Sequence, residues 1–331
     1  MTALHPLIEA DLRQLHATLS ADGTLPPPAK LQSYYDTFRR TFGPEVLRSL
    51  DGQELLERMH AHGNRDSMVY WLEFKDDDEF PNLFGSIAGG SALKFGVYRR
   101  KETGTWATKG TGSAPKDISL EEAVQIARRH RDQLLASVDV VANKPAGATD
   151  DDYLRLQREL ERVGPDVEDT VWGHKYLCLL FPEILDDFHV AEFQRYHLTR
   201  LLQVPPRQGD GWANGRYVCA GRYVGLSRYL GIPLHELTTI LNGRNGGPRN
   251  YWRIGTTDDE RARQKYWPLM RDGNLVAVGW QSIGDLSGHA GNQGSRDAIA
   301  GVVGEAMTPN PLLAHCLHRC HHRRSMRRRL P

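Results

Sequence analysis

The segment 251–287 gathers the residues best suited to hold a flat ligand, for Trp252, Trp267 and Trp280 are three of the seven tryptophans in the chain. YWRIGT (251–256) and LVAVGW (275–280) read as short β-runs parted by a charged, glycine-containing loop. Indole walls suit a planar, polarizable ligand such as a nucleobase, and the same spacing also builds ordinary core. A second set, Asp66 with Glu73-Phe74-Lys75, has the D…E-x-K form in which two carboxylates hold Mg²⁺ and a lysine orients water. That tripeptide is short and common by chance, and no proline precedes the aspartate.

Other chemistries are less complete. The stretch Gly85-Ser-Ile-Ala-Gly-Gly-Ser-Ala-Leu-Lys94 invites comparison with a phosphate loop, but Gly90 and Ser91 stand where the Lys would be needed and Lys94 comes too late. It reads as a turn between strands with Lys94 near an anion. No Ser, Cys and His arrangement supports nucleophilic catalysis, and His174, four residues before Cys178, reads as a packing or capping histidine. No complete catalytic motif is present, so the chain by itself reads as a non-enzyme with no cofactor and no small-molecule substrate.

Charge is partitioned along the chain. Residues 1–194 hold 22 basic and 32 acidic side chains, net −10, whereas 195–271 hold 13 basic and 5 acidic, net +8, inside a total of +1. The basic block is almost all arginine, including Arg216, Arg222, Arg228, Arg244, Arg249 and Arg253, with Tyr196, Tyr217, Tyr223, Tyr229 and Tyr251 interleaved. Arginine forks contact phosphates and stack on bases, so this mixture fits a nucleic-acid surface. A solvated face, or pairing with the acidic N-terminal half, fits the same charges.

The elements that must position these residues give an α+β reading. Helical periodicity covers 4–21 and 45–62, and the Pro26-Pro27-Pro28 run between them reads as a non-helical connector. MVYWLEF (68–74) reads as a buried strand, with another at 94–100. Ser119 and Glu122 form a capping box that opens the next helix. An N-terminal α+β domain therefore covers 1–142, a linker 143–152, and a helical domain 153–247, with helices expected at 153–163, 172–181, 190–202, 223–230 and 234–241. The β-runs occupy 248–290, and 291–331 is an irregular Arg/His-rich tail.

That tail contains no acidic residue after Glu305. Cys316 and Cys320 with His315, His318, His321 and His322 offer zinc-ligating atoms, but the usual two spaced pairs are missing. A basic anchoring tail is a second reading, and the product of a frameshift or gene fragment is the one the pattern favours.

A hydrophobic content of 40% and a mean hydropathy of −0.52 describe a soluble globular chain. No apolar run reaches the roughly 20 residues of a membrane span. The four scattered cysteines form no disulfide framework, which places the expectation in the cytoplasm.

VWGHKYLCLLFPEILDDFH (171–189), GRYVCAGRYVGLSRYLGIPLHELTTILNGRNGGPRNYWRIGT (215–256) and WPLMRDGNLVAVGWQSIGDLS (267–287) resemble the region upstream of the AAA+ motor in McrB-type restriction proteins. In these an EVE-like (YTH/PUA-related) module begins at the YWRIG strand, and the segment 68–106 resembles the N-terminal portion of the same proteins. The resemblance implies DNA binding with recognition of modified or flipped bases, coupled to a McrC-type nuclease or another defence subunit as partner. It places the base between Trp252 and Trp280, with Asp285 and Ser287 bonding its edge. It also departs from the family: the β-module is partial and the AAA+ module is absent. The alternatives are a protein-interaction adaptor, or a Mg-dependent nuclease using Asp66, Glu73 and Lys75.

Overall fold

The computed structural model describes residues 4–79, 84–89, 91–110, 115–144, 147, 149–203 and 215–248. The β-runs at 251–256 and 275–280, the proposed pocket residues Trp252, Trp280, Asp285 and Ser287, Arg249 and Arg253, and the tail at 291–331 all lie outside them. The described residues belong to one compact unit, Met1–Pro248, and are mostly helical with one small antiparallel sheet. One apolar core runs from Leu4 to Leu241 without a break at 143–152.

Helix α1 (Pro6–Ala21) buries Ile8 and Leu12. The proline run is not wholly a connector: Pro28 opens α2 (Pro28–Phe42), where a missing backbone N–H costs nothing. Leu31, Tyr34, Tyr35, Phe38 and Phe42 then recur at helical spacing and are buried. The helix expected at 45–62 divides into α3 (Pro44–Ser49) and α4 (Gly52–His60), because Leu50 and Asp51 are extended.

MVYWLEF is helical, which corrects the strand expected there. It forms α5 (Met68–Tyr70), a π-helical turn (Trp71–Lys75) and α6 (Asp76–Glu79), with Ser67 Oγ accepting the Tyr70 N–H at the start. Trp71 packs edge-on to Phe42, 5.2 Å between centroids, so the bulky residues are spent on helix packing rather than on a sheet. A short apolar run carries no period that separates buried helix from buried strand.

The sheet is smaller than expected. A 3-10 turn (Ala92–Phe95) precedes β1 (Val97–Arg99), β2 (Trp106–Lys109) and β3 (Pro115–Ile118), paired antiparallel in that order. Val97 faces Thr108 and Trp106 faces Ile118. Ser119 and Glu122 then cap α7 (Leu120–Ala142) as the sequence predicts. The segment read as a linker ends in a second capping box, Thr149 with Asp152, which starts α8 (Asp150–Val163).

Helix α9 (Val171–Leu180) is buried from Trp172 through Leu180. Around it stand α2, α7 and the π-helical turn, followed in the chain by α10 (Ala191–Leu202), α11 (Arg216–Leu230) and α12 (Leu234–Asn245). Helix α11 packs on α8 and α10, and α12 packs on α1. Tyr176 donates from its hydroxyl to the Phe42 carbonyl at 2.9 Å, tying α9 to the end of α2.

Two helical glycines separate packing from propensity. A Cβ on Gly221 would overlap the Tyr153 ring where α11 meets α8, whereas one on Gly243 in α12 meets nothing within 4 Å. Gly221→Ala is expected to destabilise by about 2 kcal/mol, despite alanine's better helix propensity. Gly243→Ala is expected to stabilise by about 0.5–1 kcal/mol. Denaturant unfolding of both variants checks the pair, and equal signs would contradict this packing.

Candidate functional site

Helix α9 places polar side chains inside the core, and the segment 185–189 supplies their partners. His189 Nε2 donates to the Phe84 carbonyl at 2.7 Å, so its Nδ1 is left as the acceptor for the His174 Nδ1–H at 2.9 Å. Burial pushes both imidazoles well below the usual histidine range, which keeps both neutral. The Cys178 thiol donates to Asp187 Oδ1 at 3.3 Å and the Thr238 hydroxyl to Asp187 Oδ2 at 2.9 Å. Asp186 accepts from the Phe188 N–H and from Gln194 Nε2, both at 2.8 Å. Burial raises its carboxyl to about 7.

The same network reaches α8 and α11. Gln157 donates to Glu168 Oε1 at 2.7 Å and accepts the Tyr217 N–H at 3.0 Å. Burial, and next the charge of Asp169, raise Glu168 to about 7. A second buried pair joins α4 to α7, with His130 Nδ1 3.2 Å from His60 Nε2. Among the described residues no group of three His, Cys, Asp or Glu could hold a metal ion. His174 is a packing residue, as expected, and both Cys178 and Cys219 are buried free thiols.

Over its described part the arginine block is partly drawn inward. Arg216 is buried; it donates to the His189 carbonyl and lies 3.4 Å from Asp169. Arg222 pairs with Asp150, and Arg244 Nε lies 2.5 Å from Asp11. Arg228 is exposed on α11. The interleaved tyrosines are also used internally: Tyr196, Tyr217, Tyr223 and Tyr229 each donate a hydroxyl hydrogen bond, to Asn245 O, Glu168 O, Gln194 O and Glu9 Oε2. Arg216, Arg222 and Arg244 take their carboxylate partners from the acidic residues 1–194.

The nuclease set is not assembled either. Asp66 is an exposed turn residue, and Lys75 lies 3.4 Å over the Trp71 ring and 3.6 Å from Glu79. Glu73 and Lys75 would share a face on a strand, but on a helical turn residues two apart do not face each other. Glu73 is buried and takes Lys94, 2.5 Å away, as its ion partner. Lys94 also donates to the Ile87 and Gly89 carbonyls at 2.6 and 2.8 Å. Its anion is therefore a side chain of the protein, and it serves to pin the Gly-rich loop.

The same geometry opens a cleft of about 390 Å³ that the sequence did not disclose, bounded by His62, Glu73, Phe74, Tyr98, Arg99 and Lys101. Phe74 is 39% exposed. Arg99 Nε donates to the Gly104 carbonyl at 2.9 Å, which orients its guanidinium within the β1–β2 hairpin. Lys101 in the turn after β1, Lys109 on β2 and Lys116 on β3 are exposed and have no ion pair among the described residues. The run YRRK at 98–101 was the one signal available, and it read only as strand.

No family model, no curated protein and no solved structure matches the chain. Among the described residues no helix is long and apolar enough to cross a membrane.

The buried histidines make stability depend on pH with a definite sign. Burial pushes His130 from 6.5 to about 4, so the unfolded chain binds the proton more readily in that interval. Its contribution is complete above pH 6.5 and is lost as pH falls to about 4, a difference of about 3 kcal/mol. Asp186 and Glu168, raised to about 7, act in the opposite direction over the same range. His130→Gln is therefore expected to flatten the acid limb of stability against pH, measured by denaturant unfolding, and an unchanged slope would refute the assignment.

Proposed function

We propose that this chain is the DNA-binding, modified-base-reading portion of a McrB-like restriction or defence protein. In this reading it grips the phosphate backbone through the β1–β2 hairpin rather than through α11. The observation that carries the backbone contact is the set of exposed cations on the small sheet and its hairpin turn, Arg99, Lys101, Lys109 and Lys116, three of them lysines without an ion pair among the described residues. Cations committed to internal carboxylates release no counterions on binding, whereas these can. Trp252 and Trp280 wall the base and Asp285 and Ser287 bond its edge, as the resemblance of 215–256 and 267–287 implies. Unstacking a base costs a few kcal/mol, which stacking on indole offsets. A McrC-type nuclease is the proposed partner, and the chain supplies recognition rather than cleavage. Among the described residues the large exposed apolar side chains, Leu7, Phe74, Leu120, Val190 and Tyr229, are scattered over separate segments, which favours this reading over an adaptor.

Fluorescence anisotropy against methylated and unmodified duplexes over a salt series tests the assignment. Changing Lys101, Lys109 and Lys116 together to Gln is expected to lower affinity for both duplexes and to reduce the log–log salt slope by about 3. Trp252→Ala and Trp280→Ala are expected to abolish the preference for methylated duplex while preserving the slope. Absence of salt-dependent affinity in the unaltered protein would reject the proposal.

A further inference from the structure

We infer that the cleft beside the β1–β2 hairpin is a binding site for a nucleoside monophosphate unit, the planar base lying against Phe74 and Tyr98 and the phosphate held by Arg99 and Lys101. The site does not depend on the DNA-binding reading, although the two share Arg99 and Lys101.

Four observations point to that ligand. The cleft, at about 390 Å³, has the size of a small-molecule site. Its wall includes Phe74, which the π-helical turn leaves 39% exposed, and Tyr98, whose hydroxyl has no hydrogen bond among the described residues. Single extra residues in a helical turn recur at functional positions because they re-aim the side chains that follow. At the mouth, Arg99 is oriented through Nε, and among the described residues neither it nor Lys101 has an ion pair. At the floor, His62 meets the Phe95 ring edge-on, 4.9 Å between centroids, and its Nε2 stands 3.5 Å from Glu73. Burial lowers the His62 imidazole below its usual range, against the opposing pull of Glu73, so it presents a neutral ring to the ligand.

The chemistry excludes other occupants. A divalent cation would meet Arg99 and Lys101 at the entrance while the one floor carboxylate, Glu73, is committed to Lys94. A bare anion would leave the aromatic wall without a partner. Glu102 at the same mouth disfavours the denser charge of a di- or triphosphate, which leaves one phosphate joined to one planar ring. That unit can arrive as a free nucleotide or as an unpaired nucleotide of a DNA strand.

Isothermal titration calorimetry on the full chain tests the site with dCMP, deoxycytidine, inorganic phosphate and a single-stranded oligonucleotide. dCMP is expected to bind at least tenfold more tightly than deoxycytidine or phosphate alone. Phe74→Ala is expected to weaken dCMP roughly tenfold and leave phosphate unchanged, while Lys101→Gln weakens both. Phe74 is half-exposed, and an unchanged melting temperature in the variant verifies its fold. Equal affinities for dCMP and phosphate, or an unaltered dCMP affinity in Phe74→Ala, would overturn the inference. Displacement of dCMP by the oligonucleotide assigns the site to a strand, and binding of dCMP without displacement assigns it to free nucleotide; both support it. Duplex affinity measured alongside separates the two proposals, since its absence with dCMP binding retained rejects only the DNA reading.

Discussion

Helix α9 is enclosed on every side yet carries His174 and Lys175, both with no exposed surface, and the rest of the unit is arranged to make that burial tolerable. A polar group taken out of water without a partner costs on the order of 1–3 kcal/mol. The partners come from the segment that follows α9: His189 turns toward His174, and Asp187, whose carboxyl burial pushes up, lies near enough to Lys175 to feel its opposing charge. Each of these is then fixed in its turn. His189 needs the Phe84 carbonyl, which brings in the Gly-rich loop, and Gly85 must stay without a side chain because a Cβ there would overlap the Asp187 carbonyl. Asp187 also takes Thr238 from α12, and Asp186 takes Gln194 from α10. A single buried helix thus sets the positions of four other parts of the chain.

Charge follows the same inward logic. The sequence separates an acidic first half from an arginine-rich second part, and in the folded unit the two interlock: Asp150 with Arg222, Asp169 with Arg216, and Asp11 with Arg244. Exposed pairs of this kind contribute less than about 1 kcal/mol each. Their larger effect is to engage Arg216, Arg222 and Arg244 within the unit, while Arg228 stays exposed on α11. Segment charge totals report which residues are available for pairing, but whether the partner is a phosphate or a carboxylate depends on what the fold brings opposite them.

What the sequence disclosed was local. The capping box at Ser119 and Glu122, the helices α8, α9, α10 and α12, and the second half of α11 were legible because caps and period act within a few residues; the first turns of α11, from Arg216, were not. Helix α2 was hidden because Pro28 belongs equally to a connector and to a first helical turn. The strand expected at 68–74 failed for a different reason: aromatic and branched residues buried on a helix have the composition of a strand, and the run is too short to show its period. The cleft was illegible because it combines His62, Phe74 and residues 98–101, which adjoin only after the π-helical turn and the hairpin have formed. The tryptophan pair that drew the base-binding reading, Trp252 and Trp280, lies outside the described residues.

The contact between α1 and α12 has a consequence for synthesis. His16 and Glu236 are 220 positions apart, and Arg13 reaches the Leu230 carbonyl across a similar interval. At roughly 5–20 residues per second a ribosome needs about 10–45 s to make that intervening chain. Throughout that time Ile8 and Leu12, buried in the finished unit, have no α12 to cover them. Helix α1 therefore cannot complete its packing until α12 has been made, and the contact between them closes late in the synthesis of this unit.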